Sequence, residues 1–209
     1  MSIRFKVIAL VVGVLVLDQI FKIWVKTNMS IGETIPVIGK WFMLHFVENK
    51  GMAFGVTMGG ITGKIALTVF RMIAVGALSY FIHQMIKKEM PVGFILALGM
   101  ITAGAAGNII DSAFYGLIFN ESTYANAMIP GSGIAEFMPE GGGYAPFLQG
   151  AVVDMLYFPI INTTWPHWVP VWGGQTLTFF RPIFNLADAA ITCGVFWVLV
   201  FHRKSLRAM

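Results

Sequence analysis

"FNLADAAITCGVFWVLV", Phe184 to Val200, sets Asn185 and Asp188 at the mouth of an apolar run that continues through Cys193 to Val200. With its neighbours at 183–202 it reaches the roughly 20 residues that a helix needs to cross a bilayer. A carboxylate there is costly unless it faces a bundle interior and meets partners. The fold turns on why a segment built for lipid holds one.

Composition puts the whole chain in the same setting. Of 209 residues, 57% are hydrophobic and 11% charged, where a soluble domain carries about 25% charged. The net charge of +4 is small and scattered, which speaks against a nucleic-acid partner. Cys193 has no second cysteine to pair with and reads as a small buried hydrophobe.

Four stretches qualify as spans: about 5–25, 65–86, 92–114 and 183–202. Arg4 and Lys6 before "VIALVVGVLVL" resemble the start of a signal peptide, but "DQIFKIWVK" follows with no small-residue cleavage site, so an uncleaved first helix is expected. Pro91 suits the first turn of the third helix, where its missing N–H costs nothing. Basic residues flank the spans at Arg4 and Lys6, at Lys87 and Lys88, and at Arg203, Lys204 and Arg207. An even number of spans places all three clusters on one side, the cytoplasm, with both termini inside.

The outer loops, about 26–64 and 115–182, are long. Alternation around Phe42, Leu44 and Phe46 predicts a short sheet. Residues 120–150 hold the breakers "PGSG" and "PEGGG" and predict a surface excursion. "WPHWVPVW" at 165–172 brings three tryptophans, a residue that favours the water–lipid boundary. The expected fold is an all-α polytopic membrane protein, a single domain of four transmembrane helices, with a small β-rich subdomain outside the cytoplasm.

Polar residues in the spans fall at one depth. Asp18 and Lys22 lie late in the first helix, Asn108 and Asp111 late in the third, Asn185 and Asp188 early in the fourth. Groups from three helices converge in the outer half of the membrane, so Asp188 belongs to a polar site facing the bundle interior. Blander roles stay open: Asp18 and Lys22 as an i,i+4 ion pair locking the first helix, and Asn108 as interhelical glue beside Gly104 and Gly107. Arg71 reads as a structural partner for a buried carboxylate. The four histidines have no metal-binding spacing, and no serine-nucleophile motif is present. Asp154 sits in an apolar run, "QGAVVDMLYFPII", which suits a re-entrant strand or half-helix lowering it towards Asp188.

Five blocks, "DQIFK" (18–22), "ENKGMAFG" (48–55), "GAAGNIID" (104–111), "GAVVDM" (150–155) and "FNLADAA" (184–190), stand in the order found in lipoprotein signal peptidases, signal peptidase II. The resemblance covers nearly the whole chain. It implies an aspartic endopeptidase of the bacterial inner membrane, active at the outer face, that removes signal peptides from diacylglyceryl-modified prolipoproteins. It also implies a membrane-lipid setting, inhibition by globomycin-type cyclic peptides, and no metal or cofactor. Its catalytic aspartates fall on Asp154 and Asp188. Asp18, Lys22, Asn49, Gly51, Asn108, Asp111 and Asn185 match its supporting positions.

Two departures stand out. The family usually carries arginine after the "GNxxD" aspartate, where this chain has Ser112; Arg181 and Arg71 are the candidates to replace it. The stretches before Asp154 and between Asp154 and Asp188 are longer than the family's, and are expected to cap or gate the site. A proton-coupled transporter is the rival reading, since membrane Asp and Lys also mark proton relays. It calls for acidic groups spread through the depth and usually an inverted repeat. Neither pattern is present.

Overall fold

The computed structural model describes residues 1–207 apart from 51, 54, 55, 58, 59 and 180. The first helix, α1, spans Ile3–Asn28, with the Ser2 hydroxyl accepting the Phe5 N–H at 3.3 Å as its cap. Phe5, Ile8, Val12, Val16, Ile20 and Trp24 recur every three or four residues and are exposed, as expected of a lipid-facing stripe. The opposite stripe, Asp18, Lys22, Val25, Lys26 and Met29, is buried. On this helix the polar face points inward, the reverse of a soluble amphipathic helix.

Helices α2 (Gly60–Lys87) and α3 (Val92–Ile110) follow, joined through a turn in which Glu89 has φ 52° and Pro91 precedes the first turn of α3. α3 is the central element and packs against α1, α2 and α5 (Leu186–Phe201). Its contact with α5 requires glycine: a Cβ at Gly104 would stand 2.1 Å from the Ala187 carbonyl oxygen, and one at Gly194 2.7 Å from that of Ala97. With lipid on the outside, such close backbone packing is what holds helices together. α1, α2 and the α3 stretch to Ile118 are long and apolar enough to cross a membrane. The apolar α5 has 16 helical residues, about 24 Å of rise; it begins three residues later than expected because Ile183–Phe184 form a strand.

Gly194 must face α3, which turns the preceding position outward. Cys193 is therefore exposed on the outer face of α5, not buried as its apolar neighbours suggested.

The bundle is capped at the end where α1 and α3 finish and α2 and α5 start. Strands β1 (Thr34–Ile38), β2 (Phe42–Asn49), β5 (Val152–Tyr157) and β8 (Ile183–Phe184) form an antiparallel sheet in the order β1-β2-β5-β8. Two small hairpins accompany it, β3 (Met52–Ala53) with β4 (Val56–Thr57) and β6 (Ile161–Thr164) with β7 (Thr176–Phe179). Leu44 and Phe46 of β2 are buried, as the alternation predicted, and join Val25, Met29, Tyr115, Phe119, Val153 and Met155 in one cluster. Fully burying side chains of this size stabilises by about 1.5–3 kcal/mol each, which fixes the sheet on the helix ends. A second cluster around Phe94, Ile95, Leu98, Met85 and Val198 packs the opposite end of the bundle.

Where α3 reaches Asp111 it widens into a π-helical turn, Asp111–Tyr115, then closes with the short α4, Gly116–Ile118. The wide turn frees carbonyls, and the chain returning at 143–150 satisfies them. Gly150 N donates to Ser112 O at 2.9 Å, Leu148 N to Ala113 O at 3.3 Å and Ala145 N to Gly116 O at 2.9 Å. Only glycine fits at 150, since a Cβ there would lie 2.2 Å from the Asp111 carbonyl oxygen. This contact delivers β5, and Asp154 with it, to the bundle. A five-residue helix, α6 (Arg203–Arg207), follows α5.

Candidate active site

Asn185 is the hub. It caps α5, its side-chain oxygen accepting the Asp188 N–H at 2.9 Å while the Asp188 carboxylate accepts the Asn185 N–H at 3.4 Å. This reciprocal box is the local reason α5 begins here. The Asn185 amide then donates to Asp154 Oδ1 at 2.7 Å, Asn108 Oδ1 at 3.1 Å and the Val153 carbonyl at 3.3 Å. Asn108 Nδ2 donates to Asp188 Oδ1 at 2.8 Å. Asn185 thus holds Asp154 and Asp188 on its two sides, and Asn108 steadies Asp188 from α3. Asp154 is buried, at 6% exposure, and Asp188 half-buried. Burial pushes the Asp154 carboxyl up to about 7, and the nearby Asp188 charge acts in the same direction against the opposing pull of Lys22 and the Asn185 hydrogen bond.

Beneath this pair lies an ionic layer. Lys22 is fully buried and spends its three donors on Asp18 at 2.8 Å, Asp111 at 2.8 Å and Asn108 Oδ1 at 3.0 Å. The expected Asp18–Lys22 pair is present, but it also reaches beyond its own helix. Asp18 Oδ1 accepts the Ala187 N–H at 2.9 Å, an unsatisfied donor of the first turn of α5. Asp111 accepts the Val153 N–H at 3.3 Å and Gln19 Nε2 at 2.9 Å. The two carboxylates therefore grip the two elements that carry Asp188 and Asp154.

Sequence reasoning missed several of the groups. Gln19, inside the quoted "DQIFK" block, links Asp18, Asp111 and the Tyr115 hydroxyl. Lys26 is buried in an ion pair with Glu48, bonds Ser122 Oγ at 2.8 Å, and lies over the rings of Phe119 and Tyr144. The one sequence signal for this cluster is a lysine on the same stripe as Asp18 and Lys22.

Asn49 pairs with Val152 across β2 and β5. Together with Lys64, Leu67, Thr68, Arg71 and Ser112 these two line a small cavity of about 10 Å³. Ser112 is buried and its hydroxyl donates to the Asn108 carbonyl at 2.9 Å. Arg71 lies within electrostatic reach of Asp188, Asp111 and Asp154. It is not the ion-pair partner it was expected to be: among the described residues no carboxylate lies within salt-bridge distance of it. Arg181 is exposed. Gly51 lies outside the described residues.

Two carboxylates on one amide hub, one buried, can divide the acid and base roles of water-driven hydrolysis. The family description "Signal peptidase (SPase) II" matches residues 10–203. A lipoprotein signal peptidase of Porphyromonas gingivalis is 44% identical over 201 residues, covering 96% of this chain and 84% of that protein. One from Amoebophilus asiaticus is 35% identical, covering 92% and 75%. Among solved structures, a bacterial membrane enzyme shares the fold, with a TM-score of 0.59 at 24% identity over 96% of this chain and 89% of that one. With both its sequence and its fold accounted for, this chain belongs to the signal peptidase II family of membrane proteases, which remove signal peptides from lipoproteins.

Proposed function

We propose that the chain is an aspartic endopeptidase in which Asp154 and Asp188 activate water against the signal-peptide bond of a diacylglyceryl-modified prolipoprotein. The observation that carries this reading is the Asn185 hub, whose side-chain amide donates to the Asp154 carboxylate and whose backbone N–H donates to that of Asp188, while burial holds the Asp154 carboxyl up near 7. Asp154, the buried half, is the acid, and Asp188 the base. Asp188 draws a proton from water as the hydroxyl oxygen bonds to the scissile carbonyl carbon, and Asp154 gives its proton to the carbonyl oxygen. On collapse one of the two hydroxyls of the gem-diol returns a proton to Asp154, the C–N bond breaks, and the amine leaves carrying the proton that Asp188 took up. Asn108 and Asn185 hold both carboxylates in place throughout.

The same reading assigns four spans, with α5 as the fourth, in a bacterial inner membrane. Arg4, Lys6, Lys87, Lys88, Arg203, Lys204 and Arg207 all belong to the bundle end opposite the sheet, and the positive-inside preference makes that end cytoplasmic. Both termini are then cytoplasmic and the dyad lies at the outer face. A diacylglyceryl chain stays in the outer leaflet while the peptide reaches the dyad. Globomycin-type cyclic peptides compete for that site.

The test is cleavage of a purified lipidated prolipoprotein by the purified enzyme, with and without globomycin. A shortened, globomycin-sensitive product is expected, and Asp154→Asn or Asp188→Asn each abolishes it, with the double variant little worse than either. Persistent turnover in a well-folded Asp154→Asn enzyme removes the dyad.

A further inference from the structure

A charge on a helix that faces lipid is expensive and needs an acceptor. α2 meets the rest of the bundle chiefly through α3, yet it carries Arg71 half-buried at the cavity beside the dyad. Its guanidinium, with five donors, makes no hydrogen bond and no ion pair with any described residue. Three carboxylates attract it from beyond contact distance, so among the described residues its donors are unspent. The cavity itself is about 10 Å³, room for roughly one water-sized group. That suits a single carbonyl oxygen.

The cavity's place relative to the dyad gives it a register. Val152 lines it, and Val152 and Asp154 point to the same face of β5, two residues apart. At about 3.4 Å per residue the cavity lies about 7 Å along the strand from Asp154, the length of two residues of extended peptide. Ser112 lines the same cavity, and it occupies the position where the family pattern has arginine. Arg71, on α2, lines that cavity together with Ser112 of the π-helical turn.

We propose that Arg71 is a substrate-binding residue that donates to a main-chain carbonyl of the bound peptide about two residues from the scissile bond, replacing from α2 the arginine that Ser112 lacks. This assignment rests on the peptidase reading. It gives a role to a membrane charge that is unmatched among the described residues, and a contact to the backbone oxygen is one that every substrate can make. A planar fork suits such an acceptor better than a lysine ammonium does.

The experiment measures kcat and KM for a lipidated prolipoprotein, with thermal melting alongside, for the wild type, Arg71→Ala, Arg71→Lys and the Arg71→Ala, Ser112→Arg double variant. Arg71→Ala is expected to lose about 10–100-fold in kcat/KM, the range for a hydrogen bond to a charged group, mainly through KM and with melting unchanged. Arg71→Lys recovers only part of that loss. Arginine at 112 restores at least tenfold of it. Wild-type kinetics in Arg71→Ala overturn the proposal. So does a loss that tracks lowered melting and is fully repaired by lysine, since that marks a charge needed only for folding. If the double variant fails to fold, the lysine variant decides alone: full recovery overturns the proposal, and partial recovery at unchanged melting supports it. A wild-type enzyme that leaves the prolipoprotein uncut overturns the peptidase reading, and this one with it.

Discussion

Replacing Asp154 by asparagine tests the electrostatics of the site without relying on catalysis. The carboxyl is held at about 7 against an ordinary 3.8, chiefly by burial. Between those two values the folded chain keeps a proton that the unfolded chain has lost, so stability falls as pH rises through this window and levels off above about 7. The whole effect is on the order of 4 kcal/mol, of which about 2.5 kcal/mol is lost between pH 5 and pH 8. Asparagine has nothing to titrate, and its side-chain oxygen can still accept from the Asn185 amide, which bonds Asp154 at 2.7 Å in the native site. Melting followed by the fluorescence of the six tryptophans in detergent should show the wild type losing roughly 5–10 °C more than Asp154→Asn across that range. Because the variant keeps every other titrating group, the difference between the two curves isolates residue 154. Parallel curves would refute the claim that burial keeps this carboxyl protonated near neutrality.

Three further changes probe the framework. Lys22→Met leaves the buried Asp18 and Asp111 carboxylates, each 2.8 Å from the lysine, without their cation; a loss of about 3–5 kcal/mol is expected, and melting unchanged from wild type would exclude it. Gly104→Ala drives a methyl into the Ala187 carbonyl oxygen 2.1 Å away and should cost about 1–3 kcal/mol with a matching loss of cleavage, whereas Gly76→Ala, with nothing within 4 Å, should melt and cleave as wild type does. Tyr144→Phe removes the hydroxyl that accepts the buried Ala151 N–H at 2.6 Å; about 1–3 kcal/mol is expected, together with faster hydrogen exchange at the Ala151 amide.

What could be read from the sequence depended on how far apart the partners lie along the chain. Helix positions and the β2 alternation are local, periodic signals, and both appear in the structure. Asn185 and Asp188 form a box across three residues, a spacing visible in "FNLADAA". Burial of Cys193 was inferred from apolar neighbours, and failed because neighbours along a helix do not share a face; Gly194 took the inward position. The Lys26 cluster joins residues 22 and 96 positions away, and no local pattern announces such a meeting. Arg71 shows the same limit: its charge is plain in the sequence, but its lack of an ion-pair partner is a property of the packed bundle.

The charged face of α1 bears on how the protein enters the bilayer. Asp18, Lys22 and Lys26 lie buried on one stripe, and apart from the mutual Asp18–Lys22 pair and the Gln19 amide on the same helix their polar partners are Glu48, Asn108, Asp111, Ser122 and the Ala187 amide, all made later on the ribosome. A lone α1 released into lipid would expose ionised groups in the outer half of the membrane, each at a cost below the roughly 2.5–3.5 kcal/mol of the membrane centre. Its apolar stripe can meet lipid at once, but its inner stripe finds its partners only in β2, α3 and later segments. The bonds from Lys22 to Asn108 and Asp111 offset part of that cost, so α1 is expected to sit more stably in the bilayer beside α3 than alone.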